Sequence, residues 1–442
     1  MGVALNVDRS TAESGQKIRA PRTALSGPAI YALVLLTAIY SLNFLDRTVI
    51  NILIDPIKHT FHVSDAVMGF ISGFGFVLLY SILAAPVARW ADRGSRRNII
   101  TGGLVIWSGM TALGGVARNA LQLTLSRFGV GIGEAAGTAP STSMISDFYP
   151  GERRSTAMAV YQLGPAFGIF LGSFVGGWVN HYYGWHRAFL VAGLPGLLVA
   201  LLFRFTVKEP KRGLAEKTKV DTSQQRLGET MLYMSRQTCY MLILVGFCFT
   251  TFTQFGFGTW VAPFLGRIYH LNTRDIGTYM GTITIVASVT GTLIGGYLSD
   301  WGGRRKIEWK IYVPAICSIG ASVGVLLFVF SHSLAVCLAG FVIVQALSPV
   351  HVGPMVAVSH SVVKVGMRAF ATSLIYLLAE LLGLGFGQYL IGIFNDHYQR
   401  QLGVNVIRYT MSTAALTTLI GGLLFVLAAQ YLRRDMARSA AD

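Results

Sequence analysis

The sequence predicts an all-α membrane protein, a bundle of twelve transmembrane helices arranged as two pseudo-symmetric six-helix halves. Of its 442 residues, 53% are hydrophobic and only 13% are charged, against about 25% charged in an average soluble domain. Apolar runs of helical length recur along the chain, and about 20 apolar residues are needed to cross a bilayer. The two halves also match each other at a fixed offset. A soluble protein with so little charge could not cover its own surface, so ordinary enzymes and cytosolic binding modules are nearly excluded.

Six predicted spans precede the longest polar stretch and six follow it. The first six are 29–52, 65–88, 98–117, 120–147, 156–180 and 186–206. The second six are 238–264, 276–299, 310–331, 334–358, 369–394 and 406–432. The expected domains are an N-terminal tail, an N-terminal bundle, a polar linker, a C-terminal bundle and a C-terminal tail, at 1–27, 28–206, 207–237, 238–432 and 433–442. The first tail lacks the apolar core of a signal peptide, so we expect the first span to be retained.

The positions of Lys and Arg predict the orientation of these spans. With the N-terminus inside, 27 of the 36 Lys and Arg residues fall in cytoplasmic segments and seven in external loops. Because positive residues accumulate on the cytoplasmic side, both termini are predicted to be cytoplasmic. The formal net charge of +16 is then explained by topology and by contact with anionic membrane lipids, not by nucleic acid. We expect a monomer in a bacterial inner membrane.

The halves repeat each other at an offset of 208 residues. The matching pairs are Gly69 with Gly277, Gly73 with Gly281, Asp92 with Asp300, Arg96 with Arg304, and Arg97 with Arg305. All five pairs lie in the second span of each half or in the loop that follows it. Repeated halves are typical of transporters, whose substrate site lies near the membrane midplane between the repeats.

Several motifs resemble known transporter signatures. The segment 86–97, with Asp92-Arg93-Gly-Ser-Arg96-Arg97, and its second copy at 296–305 resemble the loop signature of the major facilitator superfamily. Within that superfamily, segments 43–47, 127–135 and 147–157 resemble the spinster branch. That resemblance implies transport of sphingolipids, sphingosine-1-phosphate or lysophospholipids. The organic anion:cation symporters of the superfamily carry similar motifs in the first and fourth helices, so they stay open as an alternative. The resemblance also implies a cytoplasmic gate made of Asp92, Arg93, Arg97, Arg154 and Asp300.

Five charged residues lie well inside the predicted spans: Asp46, Arg47, Arg127, Glu134 and Glu380. Each costs roughly 2.5–3.5 kcal/mol on insertion scales, which makes each a functional candidate. Asp46 and Arg127 lie at similar depth and can pair. Glu134 lies about 10 Å deeper than Arg127 on nearly the same helical face, where no fixed partner is evident. We therefore expect Glu134 to carry the proton, with Glu380 as a second cavity candidate.

One other interpretation of these charges stays open. The four first-half charges could form a fixed network that only holds the first and fourth helices together, because buried polar networks fix packing. On the expected interpretation, protonation of Glu134 would leave the pocket with one excess positive charge, which favours an anionic or zwitterionic head group. A carboxyl in a low-dielectric site can carry a proton at working pH, so substrate and proton binding would be linked.

The composition of the second-half spans predicts an apolar cavity wall. Its spans contain a single charge that lies well inside them, Glu380, and its first span is rich in rings that are expected mainly to pack or to face lipid: Phe247, Phe249, Phe252, Phe255, Phe257, Trp260 and Phe264. A charged wall opposite an apolar wall suits an amphiphile better than a sugar. The sequence thus predicts a secondary transporter of a lipid-like substrate that works by alternating access and is coupled to protons.

The alternatives are an organic anion or cation symporter and a lipid scramblase that moves nothing against a gradient. An enzyme is disfavoured because the sequence offers no nucleophile–base pair, metal cluster or phosphate-binding loop. We expect no cofactor and no metal. The four cysteines lie inside apolar stretches without the spacing of a disulfide framework or a zinc site.

Overall fold

The computed structural model describes residues 27–149, 151–210 and 227–441, and its regular elements there are helices. The first half contains α1 Gly27–Ile52, α2 Ile54–Phe61, α3 Asp65–Arg93, α4 Arg96–Gly114, α5 Ala120–Glu134, α6 Thr138–Phe148, α7 Gly151–Tyr161, α8 Gly164–Tyr183 and α9 Trp185–Thr206. The second half contains α10 Leu227–Ser235, α11 Thr238–Tyr269, α12 Thr273–Gly303, α13 Trp309–Phe330, α14 Leu334–Ser361, α15 368–402 and α16 Val406–Ala441. The expected N-terminal tail, apart from Gly27, and most of the expected linker lie outside the described residues.

Within the described ranges, nine segments are long and apolar enough to cross a membrane. They include α1, α3, α8 with the end of α7, and α9 in the first half. In the second half they include α11 to α14, and a last segment, Arg368–Ser439, that joins α15 and α16. Length and composition thus agree with an all-helical membrane protein.

Short polar side chains begin several of these helices. Ser64, Ser95, Asn119 and Asn272 each accept a hydrogen bond from the backbone N–H three residues further on, at the starts of α3, α4, α5 and α12. Such caps satisfy N–H groups that have no partner within the helix. Gly184 adopts a φ of 83° between α8 and α9, which a residue without a Cβ tolerates. The starts of these helices and the turn between α8 and α9 are therefore determined by residues close to them in sequence.

Two helices differ from the predicted spans. The span predicted at 120–147 is broken between Glu134 and Thr138, so it forms α5 and α6. The last helix continues through the predicted tail at 433–442 as far as Ala441. The reason is a long-range contact, because the buried Asp435 accepts a hydrogen bond of 2.7 Å from the backbone N–H of Cys239 at the start of α11.

Glycines allow neighbouring helices to approach each other closely. A Cβ added at Gly168 in α8 would lie 2.2 Å from the carbonyl oxygen of Ser41 in α1. Between the halves, a Cβ at Gly69 would lie 2.5 Å from the carbonyl oxygen of Gln388, and one at Gly277 would lie 2.3 Å from that of Ser173. The repeated pair Gly69 and Gly277 thus makes equivalent contacts, of α3 with α15 and of α12 with α8.

Three helices contain π-helical stretches, at Phe70–Phe74 in α3, Thr253–Phe257 in α11 and Glu380–Gly387 in α15. A π-helical turn offsets the side chains that follow it, and such turns are frequent at functional sites. The stretches of α11 and α15 both contribute to the cavity described next.

Candidate functional site

A cavity of about 120 Å³ lies between the two halves. It is lined by residues of α1, α8, α11, α12, α14 and α15: Phe44, Arg47, Thr48, Asn51, Ile169, Gln254, Phe255, Gly258, Thr259, Met280, Thr284, Ser288, Phe341, Gln345, Ser348, Pro349, Leu384 and Gln388. Arg47 is the charged residue of this lining, so it defines the electrostatic character of the cavity.

Arg47 is held in place by aromatic rings and by a carboxylate. Its Nε donates to Glu134 Oε2 at 2.8 Å. Its guanidinium carbon lies 4.7 Å from the ring centre of Phe76 and 5.3 Å from those of Phe44 and Tyr80. Ring faces attract cations, especially away from water. The side chain is 10% exposed, so the guanidinium is fixed yet reaches the cavity.

The expected pairing of Asp46 with Arg127 is wrong. Both side chains are buried, but no salt bridge within 4.0 Å joins them in the part of the chain that the structure describes. Instead, Asp46 interacts electrostatically at longer range with both Glu134 and Arg127. Consecutive residues point about 100° apart on a helix, so the turn of α1 that aims Arg47 at the cavity buries Asp46 in the first half.

The expectation that Glu134 lacks a fixed partner is also wrong, because Glu134 is fully buried and paired with Arg47. The helix break after α5 positions Glu134 beside Arg47. A Cβ at Gly131 would lie 2.5 Å from the carbonyl oxygen of Phe76, and one at Gly133 would lie 2.6 Å from the backbone nitrogen of Trp107. These glycines let α3 and α4 close around the end of α5. Glu134 therefore positions Arg47 and is screened from the cavity.

A second carboxylate, that of Glu380, lies close to the Arg47–Glu134 pair. It lies at the start of the π-helical stretch in α15, and its Oε1 is 3.9 Å from Arg47 Nη1. Its side chain is 24% exposed, whereas that of Glu134 is 0% exposed. Of the two carboxylates beside Arg47, Glu380 of the second half is thus the more exposed.

The prediction of an apolar second-half wall is wrong as well. Polar side chains from four helices of that half line the cavity: Gln254, Thr259, Thr284, Ser288, Gln345, Ser348 and Gln388. The expectation that rings on α11 mainly pack is confirmed for Phe257, Trp260 and Phe264, which lie in the protein core and are at most 1% exposed. Hydroxyl and amide groups cost much less than charges to place in a span, so the sequence does not single them out as cavity residues.

A group of charged and amide side chains, which we call the closing network, joins the halves at one end of the bundle. Its members are Asp55, Lys58, Asp65, Arg267, Asn395 and Asp396. Arg267 Nη1 donates to Asp65 Oδ2 at 2.6 Å, and Arg267 Nη2 donates to Asp55 Oδ1 at 2.5 Å. Lys58 and Arg267 are two of the seven basic residues in the predicted external loops. No local pattern in the sequence pairs Asp65 with Arg267, which are 202 positions apart.

The opposite end, which we call the basic end, carries the expected gate residues. Asp92, Arg93 and Asp300 are exposed there. Arg97 donates from Nη1 to the carbonyl oxygen of Val207, and Arg154 donates from Nη2 to that of Ser146, both within the first half. The gate assignment remains a prediction for a conformation in which this end is closed.

Arg96 is a buried arginine at the basic end, and it is not among the gate residues that the family resemblance implies. Its Nη1 donates to Asp147 at 2.5 Å, and its backbone N–H donates to Glu209 at 2.8 Å. Glu209 also accepts from the Ser95 hydroxyl and from the backbone N–H of Arg97. Burial raises the pKa of Glu209, but these hydrogen bonds outweigh burial and lower its pKa. We call this group the linker latch, since it fixes the segment after α9 to the start of α4.

Beside the linker latch, an open vestibule separates the halves. It is lined by α6 and α7 on one side and by α14 and α15 on the other, through Thr142, Ser143, Ser146, Arg154, Met158, His360, Ala369, Thr372, Ser373 and Tyr376. The bundle is thus joined at the end of the closing network and parted at the basic end.

Comparison with known proteins identifies the family to which this architecture belongs. A family model described as Major Facilitator Superfamily matches residues 36–388. A solved structure of a bacterial homologue of the human lysosomal transporter Spinster, inward-facing and unoccupied, superposes with a TM-score of 0.83 at 27% identity, covering 93% of this chain and 99% of that one. The predicted resemblance to the spinster family is thereby confirmed.

Two relatives are similar at comparable identity. An MFS-type efflux pump of Mycolicibacterium smegmatis is 28% identical, over 95% of this chain and 96% of its own. A probable galactarate/D-glucarate transporter of Bacillus subtilis is 27% identical, over 67% of this chain and 70% of its own.

Proposed function

The chain belongs to the Major Facilitator Superfamily, and we propose that it is a proton-coupled secondary transporter of an amphipathic, lipid-like anion or zwitterion. Membership makes the protein a membrane transporter and not an enzyme. The observation that carries the proposal is the geometry at Arg47, which Glu134 holds on one side while Glu380 approaches from the other half. A cation fixed in the cavity between the halves is suited to bind an acidic head group.

Coupling follows from the charges around Arg47. With Arg47, Glu134 and Glu380 ionised, the group carries one excess negative charge, which repels an anion. Protonation of Glu380 removes that charge and leaves Arg47 Nη1 free to bind a phosphate or carboxylate. Proton uptake and anion binding therefore favour each other, and this linkage is reciprocal. Because the protonated transporter binds the anion more tightly, we expect the proton and the substrate to move in the same direction. Tyr40, Tyr80 and Tyr376 are the other titratable groups that interact with Glu380.

The apolar side chains among the cavity lining would contact an apolar chain. Its apolar members come from both halves: Phe44, Ile169, Phe255, Met280, Phe341 and Leu384. A head group at Arg47 would leave the tail of a sphingolipid or lysophospholipid against these side chains. The spinster resemblance supports the same substrate class.

Alternating access is the proposed mechanism, in a bundle of twelve spans made of two six-helix halves at 28–206 and 238–432. The equivalent glycine contacts of α3 with α15 and of α12 with α8 support a pseudo-symmetric pair of halves. The distribution of Lys and Arg supports a cytoplasmic basic end. On that orientation the closing network faces outward, and the described conformation is inward-facing.

A second candidate function is symport of a small hydroxylated organic acid. The polar side chains of the second half favour it, because a sugar acid needs hydrogen-bonding groups on both cavity walls. The similarity to a galactarate/D-glucarate transporter points the same way.

Reconstituted vesicles test the proposal. We expect labelled lysophosphatidylethanolamine to accumulate against its gradient only when a pH gradient is imposed, and Arg47→Gln to abolish accumulation. Accumulation of galactarate in its place would establish the second candidate. Equilibration of the lipid across the membrane without any effect of the pH gradient would mean a scramblase and would overturn coupled transport.

A further inference from the structure

The loop between α12 and α13 repeats, at the offset of 208 residues, the sequence that the linker latch uses in the first half. Its Arg304 and Arg305 match Arg96 and Arg97. In the first half, the Glu209 carboxylate accepts hydrogen bonds from the backbone N–H groups of both matching arginines and from Arg96 Nε. The first copy of the arginine pair thus binds an acid that the chain itself supplies.

The second copy lacks such an acid in the portion of the molecule that the structure describes. Four basic side chains of the loop and of the start of α13 form neither a salt bridge nor a side-chain hydrogen bond with the described residues: Arg304, Arg305, Lys306 and Lys310. Glu308, in the same loop, already pairs with Arg433 at 2.5 Å. Residues 300–310 therefore carry four basic side chains and, besides Glu308, one acid, Asp300.

The loop is compact, which holds these charges together at the end of α12. The backbone N–H of Arg305 donates to the carbonyl oxygen of Gly302 at 2.9 Å. A Cβ added at Gly302 would lie 2.8 Å from the Cβ of Trp309. One added at Gly303 would lie 2.8 Å from the Cγ of Lys310. The two glycines let the start of α13 pack directly against the end of α12, so Lys310 contacts the residue that precedes the arginine pair.

Exposed aromatic and apolar side chains lie directly beside this basic loop. Trp301 is 47% exposed and Trp309 is 41% exposed, and the guanidinium carbon of Arg305 lies 4.4 Å from the ring centre of Trp301. Further back along α12, the exposed side chains of Tyr297 and Ile294 share a helical face with Trp301. Tryptophan and tyrosine concentrate where a span passes from the hydrocarbon to the head groups. The loop is therefore at the level of the lipid head groups, and an apolar face of α12 leads up to it.

We infer that this loop is a binding site for an anionic phospholipid of the surrounding membrane. The phosphate of the head group contacts Arg304 and Arg305, and the acyl chains lie along the exposed face of α12. Each basic residue near a membrane surface strengthens the attraction to anionic lipid about fivefold, a gain that a zwitterionic lipid without net charge does not share. The bound lipid brings to the second arginine pair the acid that Glu209 brings to the first.

Quenching of tryptophan fluorescence by brominated lipids tests the inference in vesicles that contain the purified full-length protein. Dibrominated phosphatidylglycerol and dibrominated phosphatidylcholine share the same chains and quench the tryptophans that they contact. The signal from the site is the difference between the wild type and a variant with Trp301→Phe and Trp309→Phe. At low salt, we expect phosphatidylglycerol to compete for the site about tenfold or more strongly than phosphatidylcholine.

Two double substitutions and one change of salt show whether this preference arises at the arginine pair. Arg304→Gln with Arg305→Gln should reduce the preference about fivefold or more, because two charges at the head group are lost. The control, Arg89→Gln with Arg236→Gln, removes two exposed arginines of the basic end that belong to different halves. The control should leave the preference within about twofold of the wild type. In about 1 M salt, the wild-type preference should fall to about twofold, because surface charges are then screened.

The remaining outcomes overturn the inference. They are a wild type that does not prefer phosphatidylglycerol, a preference that survives high salt, and an equal loss in the glutamine pair and the control. Effective competition by glycerophosphoglycerol, the head group without its chains, would identify a site for soluble anions instead. The salt measurement needs no substitution, so the test stays valid if a variant fails to fold. None of these results depends on Arg47 or on the cavity, so the proposed function is tested independently.

Discussion

Arg47 and Glu134 form a buried ion pair of 2.8 Å between α1 and the end of α5. The pair directs the other end of the guanidinium toward Glu380, 3.9 Å away in the second half. One carboxylate thus holds the cation from the first half, while the other approaches it from the second half. Four expected outcomes follow from this arrangement and from the contacts at the two ends of the bundle.

Glu134→Gln should destabilise the protein and weaken transport at every pH. The substitution leaves Arg47 buried without its partner, at a cost of about 3 kcal/mol. A thermal melt of the purified protein measures the change, with Glu229→Gln as the exposed control. On the proposal that Glu134 positions Arg47 and Glu380 exchanges the proton, the shape of the pH profile of residual transport should be retained.

Glu380→Gln should remove the pH dependence of substrate binding. The neutral side chain mimics protonated Glu380, so affinity should be high and constant where the wild type loses up to about tenfold per pH unit as pH rises. Binding measured between pH 5 and pH 9 checks this. A variant with the wild-type pH profile, or a Glu134→Gln variant without one, would assign the proton to the other carboxyl.

Arg267→Gln should open the end that the closing network joins. Among the described residues, loss of the bonds to Asp55 and Asp65 leaves the buried Asp65 carboxylate with Lys58 and Asn395. Spin labels at His62 and Val404, both exposed on opposite halves, should report a larger population of long distances. Arg118→Gln, an exposed change in a loop of one half, is the control and should leave the distribution as it is. Equal distributions in all three proteins would show that the apolar core alone closes this end.

Glu209→Gln should lower the free energy of unfolding by about 1–2 kcal/mol at neutral pH, because it weakens the hydrogen bonds of the linker latch. The folded-state pKa of Glu209 is depressed, so its contribution is fully present above the usual glutamate value of about 4.3. The contribution is lost as pH falls through the lower folded value. The stability difference between variant and wild type should therefore be constant from pH 5 to pH 8 and shrink below about pH 4. A difference that changes near neutrality would contradict this assignment.

The closing network and Gln388 show what could not be predicted from the sequence. Asp65 and Arg267 are separated by 202 positions, and each alone reads as an ordinary loop or helix-end charge. Likewise, an amide such as Gln388 costs little to place in a span, so it produces no signal in a search for buried charges. The closing network and the cavity position of Gln388 are apparent only in the tertiary structure, where helices that are distant in sequence lie side by side.

By itself the sequence determined the helical, membrane-embedded class, the superfamily and the few residues whose burial is costly. These properties follow from hydropathy, from the distribution of Lys and Arg, and from motifs that are local in the chain. Only the tertiary structure decided that Arg47 pairs with Glu134 and that Glu380 joins them. Depth along a helix can be counted from the sequence, but rotation about its axis and contact with a distant helix depend on packing between the halves.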